Sequence, residues 1–288
     1  MSQVKYINVH ESKTVSAGNI LTFNIPAYKT IDDIILTFTN SGAAATDANI
    51  RSSIEKISLN INGEQAINTP LPTLLDIYKF LGQEVWQTKP ANVISLNIAR
   101  LIFKNPAMEK LFAIGCRNVQ TLQLQIYCGG TVTGVTDVQV STSRRNFESD
   151  TVSYVKIINY PQTMASTGIS TIDTLPRDTN DAYLLVLASN GGGVISEGEA
   201  VLNGASIMQP IMQNTADYVA SARGHQPVTG YFPYDFCDGS QSGAVPMAGV
   251  TELRFKTTFT TAPTGGVYNL VAVTIKNVPD LIKNAALA

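Results

Sequence analysis

Charge is what this sequence has least of. Asp, Glu, Lys and Arg make up only 15% of its 288 residues, against about 25% in an average globular chain. Asn, Thr, Ser, Gln and Gly fill the difference. A polar but thinly charged surface suits broad contact with other protein, since burying an ion costs on the order of several kcal/mol. The net charge of −2 divides unevenly, with 13 Lys/Arg against 12 Asp/Glu in residues 1–150 and 7 against 10 in residues 151–288. Neither half holds the cation excess that displaces counterions from phosphate, so no direct nucleic-acid binding is expected.

Groups for catalysis are equally scarce. His10 and His225 are the only histidines, too few for a cupin-type metal centre, and a Ser-His-Asp arrangement would have to use one of them. His225 follows Gly224 at a predicted helix end, where it is expected to bond terminal carbonyls. His10 is expected to be solvated in an N-terminal arm. Cys116, Cys128 and Cys237 show no CxxC spacing and read as buried thiols of a chain folded in a reducing cytoplasm. No stretch approaches about 18 consecutive apolar residues, and MSQVKYINVHESKT lacks the apolar centre of a signal peptide. The expectation is a soluble chain that spans no membrane.

Tryptophan is nearly absent. Trp86 is the only one, expected to pack on the helix before it, so the sequence offers little of the aromatic platform that sugar clefts use. The densest aromatic cluster is YFPYDF at 231–236, readable as an intersubunit loop or as a plug at a sheet end. Gly191-Gly192-Gly193 lies between two predicted strands and is a turn, not a phosphate cradle. Loop acids are suited to a hard cation such as calcium: Asp235 and Asp238 in YDFCDGS, and Asp173, Asp178 and Asp181 in IDTLPRDTND. Solvated turn acids are the other reading. A paired-carboxylate hydrolase has no signature beyond the presence of 22 acids, and no catalytic residue or required cofactor is expected.

What the sequence does have is a β-rich plan written twice. IEKISLNING, TLLDIYKFLGQ and VQTLQLQIY in the first half answer to EGEAVLNG, TADYVASARGH and VTELRFKTTF in the second. Asn62-Gly63 matches Asn203-Gly204, Asp76 matches Asp217, Gly82 matches Gly224, and Val119/Leu122 match Val250/Leu253. IILTFTN ending at Asn40 also answers to YLLVLASN ending at Asn190. The offset falls from 150 through 141 to 131 residues, so the copies differ by loop insertions. A unit of that period is domain-sized.

Strands are predicted at 19–26, 31–39, 54–62, 93–103, 119–128 and 132–140, then at 152–159, 168–175, 182–189, 198–203, 229–236, 250–260 and 267–277. Helices are predicted at 72–82 and 214–224, each closed by glycine, with weaker ones at 105–113 and 279–287. Many short strands with few helices mean sandwiches, and the jelly roll tolerates loops of unequal length. The fold class is therefore all-β: two tandem eight-stranded jelly rolls with short inserted helices, residues 1–146 and 147–288. The junction lies within STSRRNFESDTV. Its Arg144-Arg145 pair either bridges domains or subunits or is a solvated linker.

TLLDIYKFLGQ (73–83), KLFAIGCRNVQTLQLQIY (110–127) and SRRNF (143–147) resemble the double jelly-roll major capsid proteins of membrane-containing icosahedral phages, of the corticovirus type and of Flavobacterium lipid-containing phages. The resemblance implies a homotrimer with a pseudo-hexameric outline that tiles a shell around an inner membrane. The partners it implies are other copies of the chain, penton and minor capsid or membrane proteins, and the membrane surface. Residence in the virion capsid, after synthesis in the host bacterial cytoplasm, follows. The alternative is a tandem β-sandwich that binds carbohydrate or a receptor, as a spike module.

Overall fold

The computed structural model describes residues 5–82, 92–96, 112–151, 153–236 and 244–277. Two compact units account for the chain, residues 1–78 with 83–155 and residues 79–82 with 156–288. The expected boundary at Asn146/Phe147 lies nine residues before this division at 155/156.

The first unit contains β1 (Lys5–Thr14), β2 (Ile20–Asn24), β3 (Thr30–Asn40), the short β4 (Ala43–Ala44), β5 (Ile54–Ile61), β6 (Glu64–Pro70), β7 (Val93–Ser95), β8 (Ile114–Gly115), β9 (Leu122–Cys128) and β10 (Asp137–Arg145). One sheet runs β1-β10-β3, with β4, β7 and β8 also paired to β3; the facing order is β2-β9-β5-β6. These strands pair antiparallel.

The second unit contains β11 (Tyr154–Thr163), β12 (Gly168–Ile172), β13 (Ala182–Ser189), β14 (Val194–Leu202), β15 (Ala205–Met212), β16 (Tyr231–Asp235), β17 (Val245–Pro246), β18 (Leu253–Thr261) and β19 (Val267–Lys276). Its sheets run β11-β19-β13, with β16 and β17 paired to β13, and β12-β18-β14-β15. Stripped of β4, both units have one connectivity. The first strand lies beside the last, the third follows, then the short strands late in the unit; the second lies beside the penultimate, then the fourth and fifth. That is the jelly-roll order, built twice.

Local sequence explains the elements. In β9 Leu122, Leu124 and Ile126 are buried and alternate with half-exposed Gln123 and Gln125, as the period of two requires. β13, AYLLVLAS, is a continuous apolar run buried along nearly its whole length. Helix α1 (Asp47–Ser53) starts at Thr46, whose hydroxyl accepts from the Asn49 amide. Helix α2 (Leu71–Phe80) follows β6 and helix α3 (Gln213–Ala222) follows β15, the same place in each unit. At the end of α3 the Gly224 amide donates to Ser221 and the His225 amide to Ala220, a Schellman closure with Gly224 left-handed at φ 84°.

The two Asn-Gly pairs turn out to be more than hairpin turns. Asn62 and Asn203 sit at φ 50° and 48° with glycines at 81° and 79°, the type I′ pattern for two-residue hairpins. Their side chains then clamp the approach to the next long strand. Asn62 Oδ1 accepts from the amides of Gln120 (2.7 Å) and Thr121 (3.2 Å). Asn203 Oδ1 accepts from Thr251 (2.8 Å) and Glu252 (3.1 Å). Asn62→Ala and Asn203→Ala should each lose about 1–2 kcal/mol, from orphaned amides and a left-handed backbone that alanine resists. Denaturant unfolding, with hydrogen exchange at those four amides, checks it; unchanged exchange would remove the clamp.

The sequence missed β1, β6, β15, α1 and the two-residue β4, β8 and β17, and it ended β10 too early. The predicted helices 105–113 and 279–287, most of the strand at 93–103, and Trp86 lie outside the described residues.

Candidate functional site

The Arg144-Arg145 pair is neither a linker nor solvated. Both residues end β10, and both are buried. The Arg145 guanidinium bonds Asp32 at 2.5 Å. Arg144 donates to the carbonyls of Pro26 (2.8 Å) and Tyr28 and to the Thr142 hydroxyl (2.9 Å), and it stacks 4.1 Å from the Tyr28 ring centroid. These partners all belong to the first unit, so the bridge between domains is not what the pair makes. Burial lowers the Arg144 pKa, and the carbonyls and ring compensate its charge.

Next to this pair lies an acidic one that sequence reading passed over. Asp32 and Asp33 are consecutive in β3 and both buried. Ser95 reaches both Asp33 oxygens at 2.8 Å, and the Tyr78 hydroxyl donates to the Ser95 carbonyl at 2.6 Å. Burial, reinforced by Asp33, raises the Tyr78 pKa well above normal. The signal was available: two acids inside the strand pattern TIDDIILTF need cations from elsewhere, and only one Arg-Arg step exists in the chain.

His10 is structured, contrary to the expectation of a solvated arm. It lies in β1 with Nε2 2.8 Å from the Thr142 hydroxyl, the oxygen that also accepts from Arg144. Burial lowers its pKa from 6.5, the Arg144 charge lowers it further, and Glu11 opposes. A depressed histidine favours the neutral form, so the stability it contributes is full above about pH 6.5 and is lost as pH falls through the folded value. His10→Gln should flatten the acid side of a melting-temperature profile below that pH; an unaltered profile would discard this account.

In the second unit His225 Nδ1 lies 3.0 Å from Asp235 Oδ2, with Arg223 Nη1 3.6 Å from the same oxygen. Arg223 Nη1 also donates to the Asp235 carbonyl at 2.6 Å. Thus the His225 backbone closes the helix, but its ring turns to a carboxylate. The ring is 5.0 Å from Phe80, centroid to centroid. Asp235, one of the two expected calcium ligands, therefore faces a guanidinium and an imidazole; Asp238 and Cys237 lie outside the described residues. Asp178 and Asp181 flank Lys276 at 3.3 and 3.6 Å. Burial pushes the Asp181 carboxyl up while Lys276 pulls it back. Among the described residues no three His, Cys, Asp or Glu converge for a metal.

YFPYDF is not a loop; residues 231–235 form β16, an end strand beside β13 and within the strand predicted at 229–236. Phe232 and Tyr234 are fully buried in β16; Tyr234 packs on Phe255 at 5.0 Å, and its hydroxyl donates to the Lys256 carbonyl at 2.7 Å. Cys116 and Cys128 are free and buried. A cavity of about 50 Å³ in the first unit, lined by Asp32, Asp33, Leu59, Ile67 and Leu96, is far below the several hundred Å³ of a ligand pocket. A hollow of about 280 Å³ lined by Asn190, Gln213, Asp217, Thr229 and Tyr231 opens in the second unit. No described helix is long and apolar enough to cross a membrane.

The surface features that stand out are strand edges. β1 and β15 end their sheets and expose Ile7, Val9, Ile207 and Met212. The molecule is thus a twice-built jelly roll with apolar edges and with Arg144, Arg145, Asp32 and Asp33 held by partners inside the first unit. The profile described as viral coat protein P2 N-terminal domain matches residues 6–141. The C-terminal domain profile of the same protein matches residues 154–271. The chain belongs to the viral coat protein P2 family.

Solved P2-like folds agree. The major capsid protein P2 of bacteriophage PM2 matches at TM-score 0.80 and 15% identity, over 96% of this chain and 98% of that one. The major capsid protein of Sulfolobus turreted icosahedral virus matches at 0.67 and 13%, over 95% and 97%. The PBCV-1 capsid gives 0.64 and 11%, over 95% and 94%. Such identities speak for the double jelly-roll fold; the family speaks for the role. No curated protein matches by sequence. This P2-family chain is a major capsid protein, a structural component of an icosahedral virion, and the carbohydrate- or receptor-binding alternative is not favoured.

Proposed function

We propose that the chain trimerises into a pseudo-hexameric tile and that such tiles pave an icosahedral shell around an inner membrane. One observation carries this reading: a single strand order built twice. Three copies of a doubled domain present six similar wedges, an outline that packs against neighbours with little gap. Low charge suits the large apolar contacts of obligate assemblies. Penton and minor capsid or membrane proteins complete the shell, contact with the lipid is peripheral, and no nucleic acid is bound directly. Synthesis takes place in the host bacterial cytoplasm. No catalytic step and no required cofactor enter the reading. A structural calcium at Asp235 and Asp238 would have to displace Arg223 and His225 from the first carboxylate, and calcium-dependent melting of the wild type but not of Asp238→Asn is its signature.

Size-exclusion chromatography with light scattering, followed by negative-stain imaging, tests the assembly. A mass of three chains and hexagonal outlines are expected. A strictly monomeric chain at high concentration would defeat the proposal.

A further inference from the structure

Among the described strands longer than two residues, β1 and β15 alone have no buried residue. Their counterparts in the repeated fold differ. β11, the first strand of the second unit, buries Tyr154 and Ile157. β6, the fifth long strand of the first unit, buries Ala66, Ile67 and Thr69. In a fold made twice, equivalent strands with unequal burial mark where one chain leaves its pattern incomplete. Both incomplete strands are sheet edges, each with a row of backbone donors and acceptors turned outward.

We infer that β1 of one copy and the β15 edge of a second copy are the two halves of the contact between chains in the trimer, a reading that rests on the trimer proposed above. Apolar side chains mark both strands. Ile7 is 67% and Val9 60% exposed on β1; Met212 is 65% and Ile207 39% exposed on β15. Exposed edges are normally guarded by charge, yet ASIMQPIM in β15 carries none; Pro210 and the two register shifts against β14 blunt it instead. Such an edge is an aggregation hazard unless a specific partner covers it.

Charge is consistent with that occupant. The first unit carries 12 Lys/Arg against 12 Asp/Glu and the second 8 against 10. A contact of first unit with second unit therefore meets no net like-charge repulsion. A two-fold contact of second units would bring two net negative charges together. Because β1 and β15 are different surfaces, their contact is heterologous, and a heterologous contact closes into a ring when its rotation allows. With three copies, every β1 and every β15 is used and neither of these two edges is left open. Strand addition along an edge supplies main-chain bonds, and the apolar side chains supply the burial.

The test uses the full chain with Cys237→Ser, so that its remaining native thiols are the buried Cys116 and Cys128. Val9→Cys is combined with Ile207→Cys, and the assembled protein is treated with a short flexible bis-maleimide that does not require exact strand register. Covalent dimers and closed trimers are expected on denaturing gels, with neither from each single variant. Val9→Cys with Ile169→Cys, on the opposite edge strand β12, should stay monomeric on the gel. Trimers by light scattering that cross-link through Ile169, through Val9 alone, or not at all would overturn this contact while leaving the trimer intact. A wild type that never trimerises would overturn both.

Discussion

Arg145→Ala is expected to cost about 3–5 kcal/mol of unfolding free energy in the first unit, because it strands a buried carboxylate. Asp32 and Arg145 expose 2% and 4% of their side chains, so water cannot replace the lost partner. Asp32→Ala should cost a similar amount for the mirrored reason. The informative variant removes both charges. Asp32→Asn with Arg145→Met should regain much of the loss, since burying two ions is itself expensive and a neutral pair avoids it. Denaturant unfolding of Asp32→Asn, Arg145→Met and the double variant gives the coupling energy. Losses that simply add would mean the two side chains do not depend on one another. Any fall in shell assembly after Arg145→Ala would then be a consequence of an unstable first unit, not of a broken contact between chains.

Phe255→Ala should be as damaging to the second unit, at about 3–5 kcal/mol, by a different cause. Phe255 is fully buried in β18 and lies 5.0 Å from Tyr234 and 6.3 Å from both Tyr183 and Phe236, ring centroid to centroid. These aromatics belong to one core with Phe232, Phe259 and Tyr268. Rings of this size cannot collapse into the void, because each is already fixed by its own neighbours; the Tyr234 hydroxyl, for instance, is held by Lys256 and Thr257. Phe255→Leu keeps most of the volume and should cost clearly less. Near-equal losses for the two variants in a denaturant titration would show a core that repacks, contrary to this expectation.

How far the sequence could be read follows from which side of each strand is apolar. β9 was legible because Leu122, Leu124 and Ile126 face inward. β1 was not, because its apolar residues Ile7 and Val9 face outward while Tyr6, Asn8 and His10 take the less exposed side. Read by period, it resembles a polar arm. β15 buries nothing and so prints no pattern, and in β6 the buried pair Ala66-Ile67 is consecutive, which breaks alternation. The repeat was legible where geometry demands a residue type: left-handed Asn-Gly turns, and Gly82 and Gly224 beyond the helices. The arginine pair misled because two charges in a polar stretch look solvated. Only the fold brings Asp32, Thr142 and the Pro26 and Tyr28 carbonyls to meet them. Asp76 and Asp217 align in the repeat yet diverge in use, one paired with Arg51 at 3.0 Å and the other accepting from Gln213 at 2.9 Å.

The asparagine clamps set where such a chain can grow. Asn62 grips Gln120 across 58 residues, and Asn203 grips Thr251 across 48. Each grip fastens an excursion at its root, so extra length between the two anchor points need not be transmitted to the sheets on either side. The duplicated halves have already exploited this by drifting apart in that interval while keeping the fastening. A foreign peptide spliced into either interval, clear of β6 to β8 or of β15 to β17, would inherit the same insulation.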